Sequence, residues 1–244
     1  MLRRLLFFGL PAVALLVVAA AAGWWFFVRE DAKLADEAPA IPEDLRSTPT
    51  AETSATAPSG SDGPDDGVLT FVILTDRSEA SYFVDEKLAR LSLPSTAKGT
   101  TKQVTGELHL TATGLDPTRE STFTVDLTSL TSNEDMRDRR VHGALQTSQF
   151  PNATFVAKSL TGPIEALNGT TDTDLQLTGT LEIKGVQREV TWDVKARRDG
   201  NVITALATVN FRFEDFDVPV LNIGGFVTVE EDVTLQVQVT AQAS

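Results

Sequence analysis

The residues able to do chemistry are few. The chain has no Cys and two His, His109 and His142. Thiolate nucleophiles, disulfides, Cys-ligated zinc and iron–sulfur clusters are therefore excluded, and a His-rich metal site with them. Neither His comes with a recognisable nucleophile motif, so no Ser-His-Asp arrangement is expected. His142 reads as a surface or packing residue, and His109, between Leu108 and Leu110, as solvent-facing. The acidic runs 214–217 and 230–232 match no calcium-loop spacing and read as solvated turns. Two basic positions stand out. Arg188 falls on an otherwise apolar alternating face. There it either snorkels to water from a rim, or pairs with a buried carboxylate or the polar head of a ligand. Arg137, beside Asp138, falls on the one good helix candidate and is read as orienting that helix. These residues form no catalytic set. The expectation is a protein that is not an enzyme and carries no cofactor or metal.

The elements that must position these residues are strands. Residues 68–244 are long enough for one core, and their dominant signal is period-2 alternation. Leu175, Leu177, Gly179, Leu181 and Ile183 alternate with Gln176, Thr178, Thr180 and Glu182. Val190, Trp192, Val194 and Ala196 alternate with Thr191, Asp193 and Lys195, and Val233, Leu235, Val237 and Val239 with Thr234, Gln236 and Gln238. Phe123, Val125 and Leu127 make a further apolar face, as do Val104, Gly106, Leu108 and Leu110. More strands are expected at 68–75, 79–84, 153–160 and 200–213. Such strands bury one side and wet the other, as in antiparallel sheets. Lys184-Gly185 between Ile183 and Val186 fits a two-residue primed hairpin turn. That turn sets Leu181 opposite Arg188, Gly179 opposite Val190 and Leu177 opposite Trp192. One helix is expected at 133–147, opened by Asn133, Glu134 and Asp135. Many alternating strands and almost no helix point to an all-β barrel or sandwich.

Ahead of this domain the chain changes character twice. Residues 5–28, LLFFGLPAVALLVVAAAAGWWFFV, carry no charge, and a bilayer core of about 30 Å needs about 20 apolar residues in a helix. Arg3 and Arg4 precede the run and a net acidic stretch follows it. The expectation is a single-pass anchor over 1–28 in the plasma membrane, with its N-terminus cytoplasmic and the remainder extracytoplasmic. The competing reading is a signal peptide cleaved near 19–22, which would leave the domain secreted. Residues 29–67 hold 10 acidic and 3 basic residues. With little large apolar surface, they are expected to form a disordered, self-repelling linker. The whole chain has 34 acidic against 21 basic residues and a net charge of −13. A nucleic-acid partner bound by charge is therefore excluded.

The motifs of the β region resemble a known family. The stretch Ser129-Leu130-Thr131-Ser132-Asn133, then Met136-Arg137-Asp138-Arg139-Arg140, then Phe150-Pro151-Asn152-Ala153-Thr154-Phe155 resembles the YceI family of bacterial lipid-binding proteins. There a strand ends in an SLxT turn, an Arg-Asp pair opens a short helix, and a (F/Y)PxxxF segment enters the next strand. Residues 177–190, through Gly179, Leu181, Ile183, Gly185, Val186 and Val190, resemble the family's GxLxIxGVxxxV hairpin. Phe83-Val84 and residues 99–106 fit its opening strands. The similarity covers about residues 71–240.

The resemblance implies a lipocalin-like antiparallel eight-stranded β-barrel over 68–244 with one short helix, and an apolar lipid, isoprenoid-like, as ligand. The inner-face residues expected to meet it are Phe123, Val125, Phe155, Leu175, Leu177, Leu181, Val190, Trp192, Val194, Leu235 and Val237, with Arg188 at the rim. Arg137 and Asp138 are expected to be structural. Gly106, Gly179 and Ala196 should leave room inside. The alternative is a barrel filled by its own side chains, serving as a surface interaction or stress-related module without a small ligand. Oligomeric state and protein partner are left open by the sequence.

Overall fold

Alternation gives each strand one dry face, and the computed structural model buries those faces by rolling a single sheet into a barrel. The structure describes residues 32–46, 67–88, 91–220, 222–223 and 227–244. Its strands are β1 (Leu69–Ile73), β2 (Glu79–Leu88), β3 (Leu91–Thr101), β4 (Val104–Thr111), β5 (Gly114–Leu115), β6 (Thr122–Asp126) and β7 (Thr131–Ser132). There follow β8 (Asn152–Thr161), β9 (Gly169–Ile183), β10 (Val186–Asp199), β11 (Val202–Arg212), β12 (Asn222–Ile223) and β13 (Val227–Ala243). The antiparallel order β1-β4-β6-β8-β9-β10-β11-β13 returns to its start when Phe71–Ile73 pair with Ala243–Ala241. That closes an eight-stranded ring.

Two long paths around the ring are broken rather than continuous. β13 pairs first with β2 and then with β1, which are separated by the turn Thr75–Arg77. On their far side β3 pairs with β2 and β4 with β1. β3 carries no alternating signal in the sequence; it is recruited by its neighbour. Register shifts at Ala157/Ser159, Ala196/Arg198 and Val229/Val233 place extra residues on β8, β9 and β13 and bend those strands.

The hairpin forms in the expected register: Leu181 faces Arg188, Gly179 faces Val190 and Leu177 faces Trp192. Lys184 and Gly185 have φ of 54° and 75°, the left-handed pair of a primed turn that matches the twist of the strands. The helix, α1, spans Asp135–Leu145, two residues inside each expected boundary. It ends where Gln146 turns left-handed and its N–H returns to the Gly143 carbonyl.

The apolar run 5–28 lies outside the described residues, as do 47–66 of the acidic stretch. Among the described residues no helix is long and apolar enough to cross a membrane. Residues 33–46 depart from the extended linker that composition implied, because they lie along the outer wall of the barrel. The side-chain amide of Gln236, on the outer face of β13, donates to the Ala35 carbonyl at 2.9 Å and accepts from its N–H at 2.8 Å. Asp172 accepts from the Ala38 N–H at 3.2 Å, Lys195 donates to the Asp36 carbonyl at 2.8 Å, and Arg77 forks onto Asp44 at 3.0 and 2.7 Å. Ala38 and Ile41 are buried, as are the outward-facing Val202, Thr204 and Leu206 of β11. Counting large apolar side chains misses this segment because backbone hydrogen bonds to a preformed wall hold it.

Candidate functional site

Strands that alternate around a closed ring aim one residue in two at the same interior. Of the positions expected to meet a ligand, Phe123, Val125, Phe155, Leu175, Leu177, Leu181, Trp192, Val194, Leu235 and Val237 line one cavity of about 260 Å³. Val190 is half-buried in the surrounding core and does not reach the lining. Arg188 does not reach it either. Its side chain is exposed and donates to the Gln187 carbonyl at 2.9 Å. At the hairpin end the long stem carries the guanidinium out to water, which costs far less than desolvating it.

The glycines expected to leave room make room for aromatic rings instead. A Cβ on Gly179 would stand 2.6 Å from the Phe155 ring, and one on Gly106 3.1 Å from the Phe123 ring. Each ring lies over a bare backbone, and the two come within 6.2 Å of each other. Phe155 in turn meets Trp192 edge-on, 5.9 Å between centroids at 73°. These three rings form an aromatic ledge across β6, β8 and β10. Ala196 lines the cavity, joined by Ala205 and Ala207 of β11. The open volume thus depends on alanines more than on glycines.

The cavity has one polar region, where α1 meets the barrel. Arg137 and Glu86 are 6% and 4% exposed and both line the cavity. Arg137 Nε and Nη2 donate to the two Glu86 oxygens at 3.1 and 3.3 Å, and Nη1 donates to Asn133 Oδ1 at 2.8 Å. Asp138 accepts from the Ser132 N–H at 2.9 Å and from its hydroxyl at 2.6 Å, which ties α1 to β7. The Arg-Asp pair therefore does position the helix, through separate partners. Tyr82 joins this region, and burial pushes its phenol up to about 12. It stays a neutral donor at physiological pH.

Glu86, Tyr82 and Arg140 line the cavity and were missed from the sequence. A signal was there. Ala80, Tyr82, Val84 and Glu86 alternate inward, and Glu86 breaks that apolar face just as Arg188 breaks another. Spacing alone does not tell which of the two charges is held inside by a partner. The partner of Glu86 comes from a helix 51 residues away.

The two His stay outside the cavity. His142 Nε2 pairs with the Leu130 carbonyl at 2.9 Å and fixes α1 against the loop before it. His109 was expected in solvent, but its side chain is only 12% exposed and pairs with the Thr70 hydroxyl at 2.9 Å. Among the described residues no cluster of His, Asp and Glu is arranged to hold a metal. The acidic run at 214–217 forms a 3-10 turn over Phe213–Phe216, where Asp215 accepts from the Arg212 N–H at 2.7 Å.

A family model for the YceI-like domain matches residues 71–241. Two solved structures share the fold. BcnA of Burkholderia cenocepacia superposes with a TM-score of 0.51 at 20% identity, over 70% of this chain and 99% of the other. A polyisoprenoid binding domain from Saccharophagus degradans, implicated in plant cell wall breakdown, gives 0.55 at 15% identity, over 72% and 99%. No curated protein matches the chain.

Proposed function

Because this chain belongs to the YceI-like family, we propose that it is a membrane-tethered extracytoplasmic binding protein whose barrel encloses a long apolar lipid of isoprenoid type. The observation that carries this reading is the continuous, largely apolar cavity, lined from nine strands, with Glu86, Arg137, Tyr82 and Arg140 among its few polar residues. Burial of apolar surface is the driving force available there, at about 25 cal/mol per Å². A filled barrel would give no such space, so the alternative of an interaction module without a small ligand is the weaker reading. The polyisoprenoid binding domain of the same fold supports the choice of lipid. The tether and the export rest on the uncharged run at 5–28 and the charges flanking it. The domain acts by sequestration, so no reaction is assigned to it.

Two experiments test this. Full-length protein recovered from a membrane-containing host is analysed by native mass spectrometry for co-purifying lipid. A bound apolar lipid is expected; its absence, with a collapsed interior in a crystal structure, refutes the binding reading. Alkaline carbonate extraction and protease accessibility in intact cells test the tether. Release into the soluble fraction, or protection of the domain, refutes the location.

A further inference from the structure

One polar donor in the cavity wall has nothing to bond. Trp192 is 5% exposed and lines the cavity from β10. Among the described residues its Nε1–H has no hydrogen-bond partner. Buried Trp N–H groups usually find an acceptor, because an unmade bond forfeits the one the group made with water. The neighbours cannot supply it. Leu177 sits opposite on the hairpin, Phe155 packs edge-on, and Val194 follows on the same face. A Phe or Leu would fill this wall with no polar group to satisfy.

Ser81, Tyr82 and Arg140 also line the cavity, and Glu86 and Arg137 there behave differently from Trp192. Glu86 and Arg137 satisfy each other and together carry no net charge. Trp192 is thus a cavity-lining donor left without an acceptor by the protein, set in apolar surroundings.

We infer that Trp192 determines specificity: its indole N–H donates to a neutral oxygen, a hydroxyl or carbonyl, on the enclosed lipid. The barrel then selects neutral oxygen-bearing prenyl lipids over hydrocarbons of equal length, whose uptake leaves the donor unpaired. At Trp192 it also rejects a phosphate. A phosphate beside Phe155, Leu177 and Val194 would exchange its hydration for one hydrogen bond, far too little for a multiply charged group. The inference rests on the lipid-enclosing reading and adds the chemistry of the ligand to it.

The test uses delipidated full-length protein and three probes on one skeleton: geranylgeraniol, the hydrocarbon lacking its hydroxyl, and geranylgeranyl diphosphate. Native mass spectrometry of equimolar mixtures reads the ratio bound. Wild type is expected to prefer the alcohol to the hydrocarbon by about tenfold, the size of one satisfied buried hydrogen bond. Trp192→Phe should bring the two within about twofold by weakening only the alcohol. A second readout does not depend on how the variant folds. In wild type, an indole N–H resonance should move when the alcohol binds and stay still when the hydrocarbon binds. Equal uptake of alcohol and hydrocarbon by wild type, preference for the diphosphate, or an unmoved indole resonance overturns the inference and leaves the lipid-enclosing reading intact. Uptake of none of the three overturns both.

Discussion

How much the Glu86–Arg137 pair contributes to stability depends on how dry it is. The side chains are 5% and 7% exposed and meet through two bonds at 3.1 and 3.3 Å. Removing one partner of a desolvated pair leaves the other charge buried and uncompensated, at a cost of about 3–5 kcal/mol. Glu86→Ala should therefore lose about 4 kcal/mol. With a urea slope of about 2 kcal/mol/M, the unfolding midpoint falls by roughly 2 M. The double variant Glu86→Leu with Arg137→Met should be neutral or more stable than wild type, by up to about 4 kcal/mol. The control is Lys158–Glu189, a pair at 2.9 Å whose side chains are 52% and 65% exposed. Lys158→Ala should cost at most about 1 kcal/mol. Urea unfolding of the four proteins, followed by circular dichroism, gives the energies. If Glu86→Ala costs no more than Lys158→Ala, water reaches the pair and it is not a desolvated one.

Three further predictions concern the wall, the ledge and the outer strap. Leu177→Arg and Val194→Asp place a charge in the cavity and should abolish folding or lipid uptake. Thr178→Arg, whose exposed hydroxyl now meets only Thr191, should do neither; equal damage from Thr178→Arg would overturn the assignment of faces. Gly179→Ala drives a methyl to 2.2 Å from the Val156 carbonyl and 2.6 Å from the Phe155 ring. It should destabilise by about 1–3 kcal/mol, and an unchanged thermal midpoint would show that the ledge yields. At Asp172, burial pushes the carboxyl up, but the bonds from Arg197 and the Ala38 N–H outweigh it and hold the group below the usual carboxylate range. A lowered carboxylate contributes stability at neutral pH and loses it as pH falls through its folded value. Hydrogen exchange over 33–46, corrected for intrinsic rates, should rise in acid, and in Asp172→Asn at pH 7. A strap indifferent to both would show that Asp172 does not hold it.

The β architecture was legible because alternation is a local property. Leu175 to Ile183 and Val190 to Ala196 declare their inner faces with no knowledge of their neighbours. The primed turn at Lys184-Gly185 then sets the hairpin register by geometry. What was misjudged depended on distant parts of the chain. Gly106 and Gly179 looked like empty space, yet the rings that fill it come from other strands. Arg188 was noticed as a charge on an apolar face, and Glu86, on another such face, was not. Glu86 meets the Arg137 guanidinium delivered by α1 and is held inside, whereas Arg188 meets only a backbone carbonyl and stays exposed. Residues 33–46 looked like linker because their own side chains bury little, and the wall that captures them is formed by β9, β10 and β13.

By itself, the sequence determined the all-β class, the hairpin register, the position of α1, the dry face of most strands and the absence of thiol chemistry. Each follows from residue type and spacing over a few positions. Tertiary structure decided that the sheet closes into a ring, that an ion pair and not Arg188 marks the polar end of the cavity, and that the indole of Trp192 is left without an acceptor. Closure, pairing and an unmet hydrogen bond are properties of groups far apart in the chain, and only the folded packing fixes which of them meet.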